Sequence, residues 1–182
     1  MPSVGCRTLQ DSGVCKEELW PYIENKFAID PTTDQRTTAD APNHRALDRY
    51  TLPPDKNKFI QTLLDEIPLL IGIPPRENFH LAKGVHYIRD DAGTAPTGGY
   101  HAIAIVGYKS KGFAKDGART DDPVKGDEAF KIRNSWGEEW GESGYIWMNA
   151  DYLMQLVQSV TIAPRLLVGA WFEEKKKEIE KR

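Results

Sequence analysis

The chain has 182 residues, of which 40% are hydrophobic and 28% are charged, and its formal net charge at pH 7 is -3. These values are typical of one compact domain with a hydrophobic core, with or without short attachments. The charge is too small and of the wrong sign to indicate a nucleic acid or an anionic membrane surface as a partner.

The longest apolar run is "IPLLIGIP" (67–74), which is far shorter than the roughly 20 residues that a membrane-spanning helix needs. The first residues, "MPSVGCRTLQDSG", lack the basic start and the apolar stretch of a secretory signal peptide. The sequence therefore predicts a soluble chain and leaves its compartment open.

Two cysteines, Cys6 and Cys15, lie nine positions apart. If the intervening stretch is helical, their Cα atoms lie roughly 13 Å apart, whereas a disulfide requires less than about 7 Å. We therefore predict two reduced thiols. Cys and His residues do not cluster with the spacing of a metal site, so the sequence predicts no metal and no other cofactor.

In chain order, the first predicted element is a helix over residues 3–12, which Gly13 ends. A short helical or turn segment, "VCKEELWPYIE", follows it. Residues 26–50 are polar and rich in turn formers, which predicts a linker or loop. Apolar residues at helical spacing in "DKNKFIQTLLDEI" (55–67) predict the next helix.

Strands are predicted for the proline-bounded run "PLLIGI", for "HYIRD" and for the alternating "YHAIAIVGY" (100–108). Residues 109–127 are rich in Lys, Gly and Asp and predict a long exposed loop, followed by strands at 129–134 and 144–148. Residues 164–182 end in the charged run "FEEKKKEIEKR" and predict a helical tail. This mixture of helices and strands indicates an α+β fold.

The loop at 109–127 leaves two interpretations open, an insertion without a role and a segment that contacts a partner or the rim of a substrate site. Its four aspartates do not follow the spacing of a calcium-binding loop. The loop therefore supports no metal site.

His101 and Asn134 each lie at the end of a predicted strand, and a hairpin would bring them together. A side-chain amide that is hydrogen-bonded to a histidine fixes the orientation and tautomer of the imidazole ring. A histidine that acts as the general base for a nucleophile needs to be fixed in this way. Trp136 and Trp140 would shield that bond from water. The residues alone leave the alternative of a structural histidine and a turn-forming asparagine.

"YHAIAIVGY" and "IRNSWGEEWGESGYIWM" (132–148) together resemble the His and Asn segments of the papain-like cysteine peptidases. "GVCKEELWPY" resembles the segment that links the two lobes of that family, and "FIQTLLDEIPLLIGI" resembles the helix, turn and strand that precede the His. "FHLAKGVHY" resembles its Gly-Ile-Tyr segment. The resemblance extends over roughly residues 3–163 and is greater to bacterial members than to disulfide-rich lysosomal ones.

The resemblance implies a papain-like α+β fold that consists mainly of the antiparallel β lobe. Residues 1–25 are then a remnant of the helical lobe with the inter-lobe crossover, and residues 26–50 are a linker or loop. Residues 51–163 form the β lobe, which carries His101 and Asn134, and residues 164–182 form the tail.

The resemblance also implies functions for three side chains and a reaction. His101 is similar in position to the general base that pairs with a cysteine thiolate, and Asn134 is similar to the amide that orients it. Trp136 resembles the aromatic residue that covers their contact. The implied function is thiol-dependent hydrolysis of a peptide or protein substrate.

The nucleophile that such a peptidase needs is missing from the expected place. The family's cysteine lies about 130–150 residues before the histidine, which from His101 falls before Met1. Cys6 and Cys15 lie much nearer to His101, and we interpret both as structural, with Cys6 on the apolar side of a helix. None of the Gln residues lies in a Gly-rich loop like that of the family's oxyanion Gln.

We therefore predict that the chain by itself is inactive, and three explanations stay open. The sequence is a truncated form, or one chain of an enzyme whose Cys-bearing lobe comes from a separate or upstream polypeptide. The third explanation is a catalytically inactive papain-like module that serves in binding or as a scaffold.

Overall fold

The structure, a computed structural model, describes residues 2–26, 28–90, 93–113 and 126–162. The predicted helical tail at 164–182 and most of the predicted loop at 109–127 lie outside these residues. The chain divides into two compact units, one containing Thr51–Ile162 and the other containing Ser3–Tyr50.

The described residues contain five α-helices and seven strands. The helices are α1 (Pro2–Asp11), α2 (Gln35–Asp40), α3 (Lys56–Leu64), α4 (Glu77–His80) and α5 (Ala150–Leu156). The strands are β1 (Tyr50–Thr51), β2 (Leu69–Ile73), β3 (Tyr87–Ile88), β4 (His101–Phe113), β5 (Asp127–Arg133), β6 (Tyr145–Asn149) and β7 (Ser159–Ile162). The prediction of an α+β fold is confirmed.

The sheet of the Thr51–Ile162 unit has the strand order β7-β2-β4-β5-β6-β3, with Thr51 of β1 beside β7. β4 is antiparallel to both β2 and β5, and β6 is antiparallel to β5. β3 pairs with β6 in parallel, which differs from the antiparallel arrangement predicted for this lobe. This order places β4 and β5, the strands predicted to carry the site, at the centre of the sheet.

One face of this sheet forms the core, because apolar residues alternate along its strands. Ile103 and Ile105 of β4 and Ile132 of β5 are buried on that face. α3 and α5 cover the same core, and Phe59 of α3 packs against Phe130 at a ring-centroid distance of 6.1 Å. The predicted helix at 55–67 and the predicted buried strand "PLLIGI" are both confirmed as α3 and β2.

The prediction of a linker or loop over residues 26–50 is wrong for part of that range, because α2 lies within it. Asp34 begins this helix, since its carboxylate accepts a hydrogen bond of 2.9 Å from the Arg36 N–H. Asp30 caps the preceding 3-10 turn by the same kind of bond. Within this polar stretch, Asp30 and Asp34 serve as helix caps.

The predicted loop at 109–127 is also wrong at both ends. β4 continues to Phe113 and β5 begins at Asp127, and these two residues are paired across the ladder. The pairing tolerates an irregularity between Lys109 and Phe113, because bulges let strands continue through sequences that lack a regular alternation.

Hydrogen bonds from both backbone and side-chain donors connect the end of α1 to the rest of the Ser3–Tyr50 unit. Gly13 ends that helix with a positive φ of 83°, as predicted. The guanidinium of Arg45 donates two hydrogen bonds, of 2.8 and 2.6 Å, to the Gln10 carbonyl. The Ala46 N–H donates to the Leu9 carbonyl at 3.1 Å.

Within the described residues, no helix is both long enough and apolar enough to cross a membrane. The same part of the chain holds no group of three or more His, Cys, Asp or Glu residues that could bind a metal ion.

Candidate active site

His101 is the first residue of β4 and lies at the end of a row of core residues. β4 pairs with β2 so that His101 is opposite Ile73, two positions beyond the pair of Ile103 and Ile71. Because side chains of a strand alternate between its faces, the imidazole points to the same side as the buried isoleucines. It is half-buried there, at the place where the core meets the surface.

Asn134 follows the last residue of β5 and is 9% exposed. Its Oδ1 lies 2.8 Å from His101 Nε2, across 33 residues of sequence. The same Oδ1 accepts a hydrogen bond of 2.8 Å from the Ser135 N–H. An atom that accepts from an N–H is the amide oxygen, and an oxygen of this kind cannot donate.

The hydrogen bonds of Asn134 therefore determine the tautomer of His101. Since Oδ1 can only accept, the proton in the contact belongs to His101 Nε2. In the neutral ring, Nδ1 then has the free lone pair. The site thus presents a nitrogen that can take a proton, on a ring whose other nitrogen is held.

Trp136 covers the pair. Its ring stacks on His101 with a centroid distance of 4.5 Å and an angle of 29° between the ring planes. The side chain is 38% exposed, so it separates the histidine from solvent while it remains at the surface. The structure thus brings Trp136, His101 and Asn134 together.

Trp140 has a different place from the one predicted. It is buried, and its indole N–H donates a hydrogen bond of 2.8 Å to the Phe79 carbonyl. Trp140 packs against the rings of Phe79 and Trp136, at 4.8 and 6.1 Å. Its contacts therefore anchor the segment that carries Trp136 and do not shield the hydrogen bond of His101 directly.

The turn after Asn134 is closed by backbone contacts that require a glycine. Gly141 has a φ of 59°, and a Cβ there would lie 2.2 Å from the Tyr145 carbonyl oxygen. The Asn134 N–H donates to the Gly144 carbonyl at 3.0 Å. This closed turn holds Asn134 at the end of β5, beside the start of β4.

Phe79 and His80, at the end of α4, belong to the site although the sequence assigned them no role. Phe79 is buried and contacts the rings of His101 and Trp136 at 6.0 and 5.5 Å. His80 stacks on Trp136 at 4.9 Å. Their signal in the sequence is the pair of adjacent aromatic rings in "FHLAKGVHY", far from the motif of Asn134.

The two cysteines lie in the Ser3–Tyr50 unit, and both are free thiols. Cys6 is 2% exposed, on the inner side of α1 as predicted. Burial raises the pKa of the Cys6 thiol above its usual value, and the charge of Arg49 opposes this effect only in part. Cys15 is partly exposed.

Glu138 and Glu139, which follow Trp136, are exposed, as expected for turn residues. Glu139 forms an ion pair of 2.9 Å with Lys83, and both side chains are almost entirely in solvent. Their exposure places them outside the sheltered contact of His101 and Asn134.

A sequence profile of the family described as papain family cysteine protease matches residues 2–164. Peptidase 1 of Dermatophagoides farinae is 28% identical over 159 residues, which cover 85% of this chain and 42% of that protein. Cathepsin K of Gallus gallus is 31% identical over 138 residues, which cover 74% of this chain and 34% of that protein. The chain therefore belongs to the papain family of cysteine proteases.

Solved structures agree with this family and with the predicted fold. Xylellain, a cysteine protease from Xylella fastidiosa, is 26% identical and superposes with a TM-score of 0.65 over 89% of this chain and 60% of its own. The papain-like α+β fold is thus confirmed. The chain spans less than half the length of the curated relatives described above.

Proposed function

We propose that this chain supplies the histidine and asparagine of a papain-like cysteine peptidase, with residues 51–163 as its β lobe. The observation that carries the proposal is the 2.8 Å hydrogen bond between His101 Nε2 and Asn134 Oδ1. It leaves Nδ1 as the basic nitrogen on a ring of fixed orientation, beneath Trp136. A base of this kind is what a cysteine nucleophile needs.

In the proposed reaction, His101 Nδ1 accepts the proton of a cysteine thiol, and the resulting imidazolium stabilises the thiolate. The thiolate sulfur bonds to the carbonyl carbon of the scissile peptide. Nδ1 then returns the proton to the departing amine nitrogen, and water hydrolyses the thioester that remains. The substrate is a peptide or a protein, and the reaction uses no cofactor.

The nucleophile is proposed to come from a segment other than residues 1–182, on an upstream or a separate polypeptide. Cys6 is a poor candidate, because it is buried and its thiol pKa is raised by that burial. A thiol in such surroundings is inert as a nucleophile. Residues 1–25 would then be what this chain retains of the helical lobe, and the chain alone would not cleave peptides.

The test begins upstream of Met1 in the gene, where an in-frame Gln-x-x-x-x-x-Cys segment followed by a helix is expected. A fluorogenic peptide is then assayed with the protein that includes this segment. We expect His101→Ala to lower kcat/KM by about 10²–10⁴-fold, the range for loss of a general base. Glu138→Ala, at an exposed position of the same turn, serves as the matched control.

Three results would count against the proposal. Activity that survives His101→Ala would remove His101 from the mechanism. Hydrolysis by the chain alone that disappears in Cys6→Ser or Cys15→Ser would show that the nucleophile is one of its own cysteines. A gene that starts at Met1, with no neighbouring gene for the Cys segment, would favour a binding module without catalysis.

A further inference from the structure

Trp136 stacks with two imidazole rings. One is His101, and the other is His80, whose ring centroid lies 4.9 Å from that of the indole with an angle of 24° between the planes. Phe79 and Trp140 also contact Trp136, but they do so at steep angles of 75° and 88°. The near-parallel contacts of the indole are therefore made by the two histidines.

His80 is exposed, yet its ring is held by a short relay of hydrogen bonds. His80 Nε2 lies 3.1 Å from Thr97 Oγ1, and the Thr97 hydroxyl donates to the Pro75 carbonyl at 2.9 Å. A hydroxyl has one proton, so Thr97 Oγ1 accepts in its contact with His80. His80 Nε2 is therefore the donor, and its ring has a defined orientation.

The backbone under His80 is held as well. Phe79 is buried, and its carbonyl accepts the indole N–H of Trp140. The Gly141 N–H donates to the Ala82 carbonyl at 3.1 Å. The end of α4 and the turn that carries Trp136 are thus tied together on both sides of His80, so a ring at this position has little freedom relative to the indole.

We propose that His80 is a positioning residue, which acts through Trp136 on the pair of His101 and Asn134. Its ring restricts the indole to the orientation in which it covers His101, and Thr97 restricts the ring of His80 in turn. The hydrogen bond between His101 and Asn134 is then shielded from water, and the proton remains on His101 Nε2. The catalytic consequence rests on the proposed function, whereas the structural consequence does not.

The experiment reads the tautomer of His101 in the purified chain. With 15N-labelled histidine, Nδ1 and Nε2 of a fixed neutral tautomer have widely separated chemical shifts, and exchange between tautomers averages them. We expect wide separation in the wild type and a reduced separation in His80→Ala. The control is Leu81→Ala, which removes a neighbouring side chain that is 69% exposed.

Three further variants separate positioning from folding. His80→Phe retains a ring that can stack on the indole but loses the donor to Thr97, so it is expected to recover only part of the separation that His80→Ala loses. Thr97→Val removes the hydroxyl at nearly constant shape and is expected to reduce the separation in the same direction as His80→Ala, whereas Thr97→Ser is expected to keep it. These two positions test the relay even if His80→Ala does not fold.

The kinetic test uses the peptidase that contains the cysteine segment. There, His80→Ala is expected to lower kcat by roughly 3- to 10-fold and to change KM by less than about twofold, because the variant loses one aromatic stacking contact. Signals of His101 in His80→Ala that match Leu81→Ala would overturn the inference, as would a His80→Phe variant that behaves like His80→Ala. If the shift changes appear but His101→Ala keeps full activity, the proposed function fails and the positioning role stands.

Discussion

At the scale of single residues, His101 is a titratable ring in a row of core side chains. Ile103 and Ile105 occupy the next two positions of that row, and both are buried. The core therefore fixes where the ring lies, and Asn134 determines which nitrogen carries the proton. A side chain at the boundary of the core can be sheltered on one side and reached by a substrate on the other.

The two thiols should differ strongly in reactivity. We expect iodoacetamide at pH 8 to alkylate Cys15 at least about tenfold faster than Cys6 in the native chain, because reactivity follows exposure and the thiolate fraction. Cys6 is 2% exposed and burial raises its thiol pKa. Mass spectrometry of digested samples taken over time measures both rates.

Cys15→Ser provides the matched variant for this experiment, because it should retain only the slowly reacting thiol. In denaturant, the rates of Cys6 and Cys15 should become similar, since burial no longer distinguishes them. A native Cys15→Ser chain that reacts as fast as the wild type would contradict the assignment of Cys6 as an inert, packed residue.

At the scale of elements, the end of α1 depends on a glycine. Gly13 has a φ of 83°, and a Cβ at this position would lie 1.9 Å from the Ala41 carbonyl oxygen. We expect Gly13→Ala to lower the free energy of unfolding by more than about 2 kcal/mol, from backbone strain together with the clash. Urea unfolding followed by far-UV circular dichroism measures the change.

Gly5 offers the matched control within the same helix. A Cβ at Gly5 meets no heavy atom within 4 Å, and alanine favours the interior of a helix over glycine. Gly5→Ala is therefore expected to stabilise the chain by about 0.5–1 kcal/mol. Equal effects of the two substitutions would show that α1 does not end at Gly13 in the way described.

At the scale of the whole Thr51–Ile162 unit, Lys56 connects segments that are distant in sequence. Its ammonium group donates to Glu128 at 2.6 Å and to Asp151 at 2.9 Å, and so joins α3 to β5 and α5. The Tyr108 hydroxyl donates to the second oxygen of Glu128 at 2.8 Å. Burial and the contact with Glu128 raise the pKa of Tyr108 to about 12.

This network predicts a loss of stability in acid. The hydrogen bonds from Lys56 and then Tyr108 hold the pKa of Glu128 below its usual value. Because the pKa of Glu128 is lower in the folded chain than in the unfolded chain, the ionised carboxylate stabilises the fold at pH values above the unfolded pKa. This contribution is lost as the pH falls through the lower pKa of the folded state. Because the side chain of Glu128 is 39% exposed, solvent screening limits the size of the effect.

We expect Glu128→Gln to lower the free energy of unfolding at pH 7 by roughly 0.5–1.5 kcal/mol. The difference from the wild type should be smaller at pH 3 than at pH 7, because the carboxyl group of the unfolded wild type is protonated at pH 3 and the stabilising contribution of Glu128 declines as the pH falls. Urea unfolding followed by tryptophan fluorescence at both pH values measures it. Glu139→Gln, whose ion pair with Lys83 is exposed, should change stability by less than about 0.5 kcal/mol. An equal deficit of Glu128→Gln at both pH values would contradict this assignment.

Much of the fold was predictable because its signals are local. The apolar run of β2 and the helical spacing of α3 appear directly in the sequence, and both elements occur where predicted. Predictions failed where the same residue types occur both in loops and in helices or strands. The polar composition of residues 26–50 suggests a loop, but Asp34 caps α2 within it. The Lys- and Gly-rich start of the loop predicted at 109–127 continues β4 to Phe113, because β5 lies beside it.

The candidate site divides in the same way. The resemblance of two sequence segments to those of the papain-like family pointed to His101, Asn134 and Trp136, whereas their spacing alone left a structural histidine and a turn-forming asparagine open. The structure brings these three side chains together. Only the tertiary structure revealed that the indole N–H of Trp140 donates a hydrogen bond to the carbonyl of Phe79, 61 residues away, and that the ring of His80 stacks on Trp136. Contacts between rings so distant along the chain leave no periodicity in the sequence, since they depend on how the sheet and its loops bring the segments together.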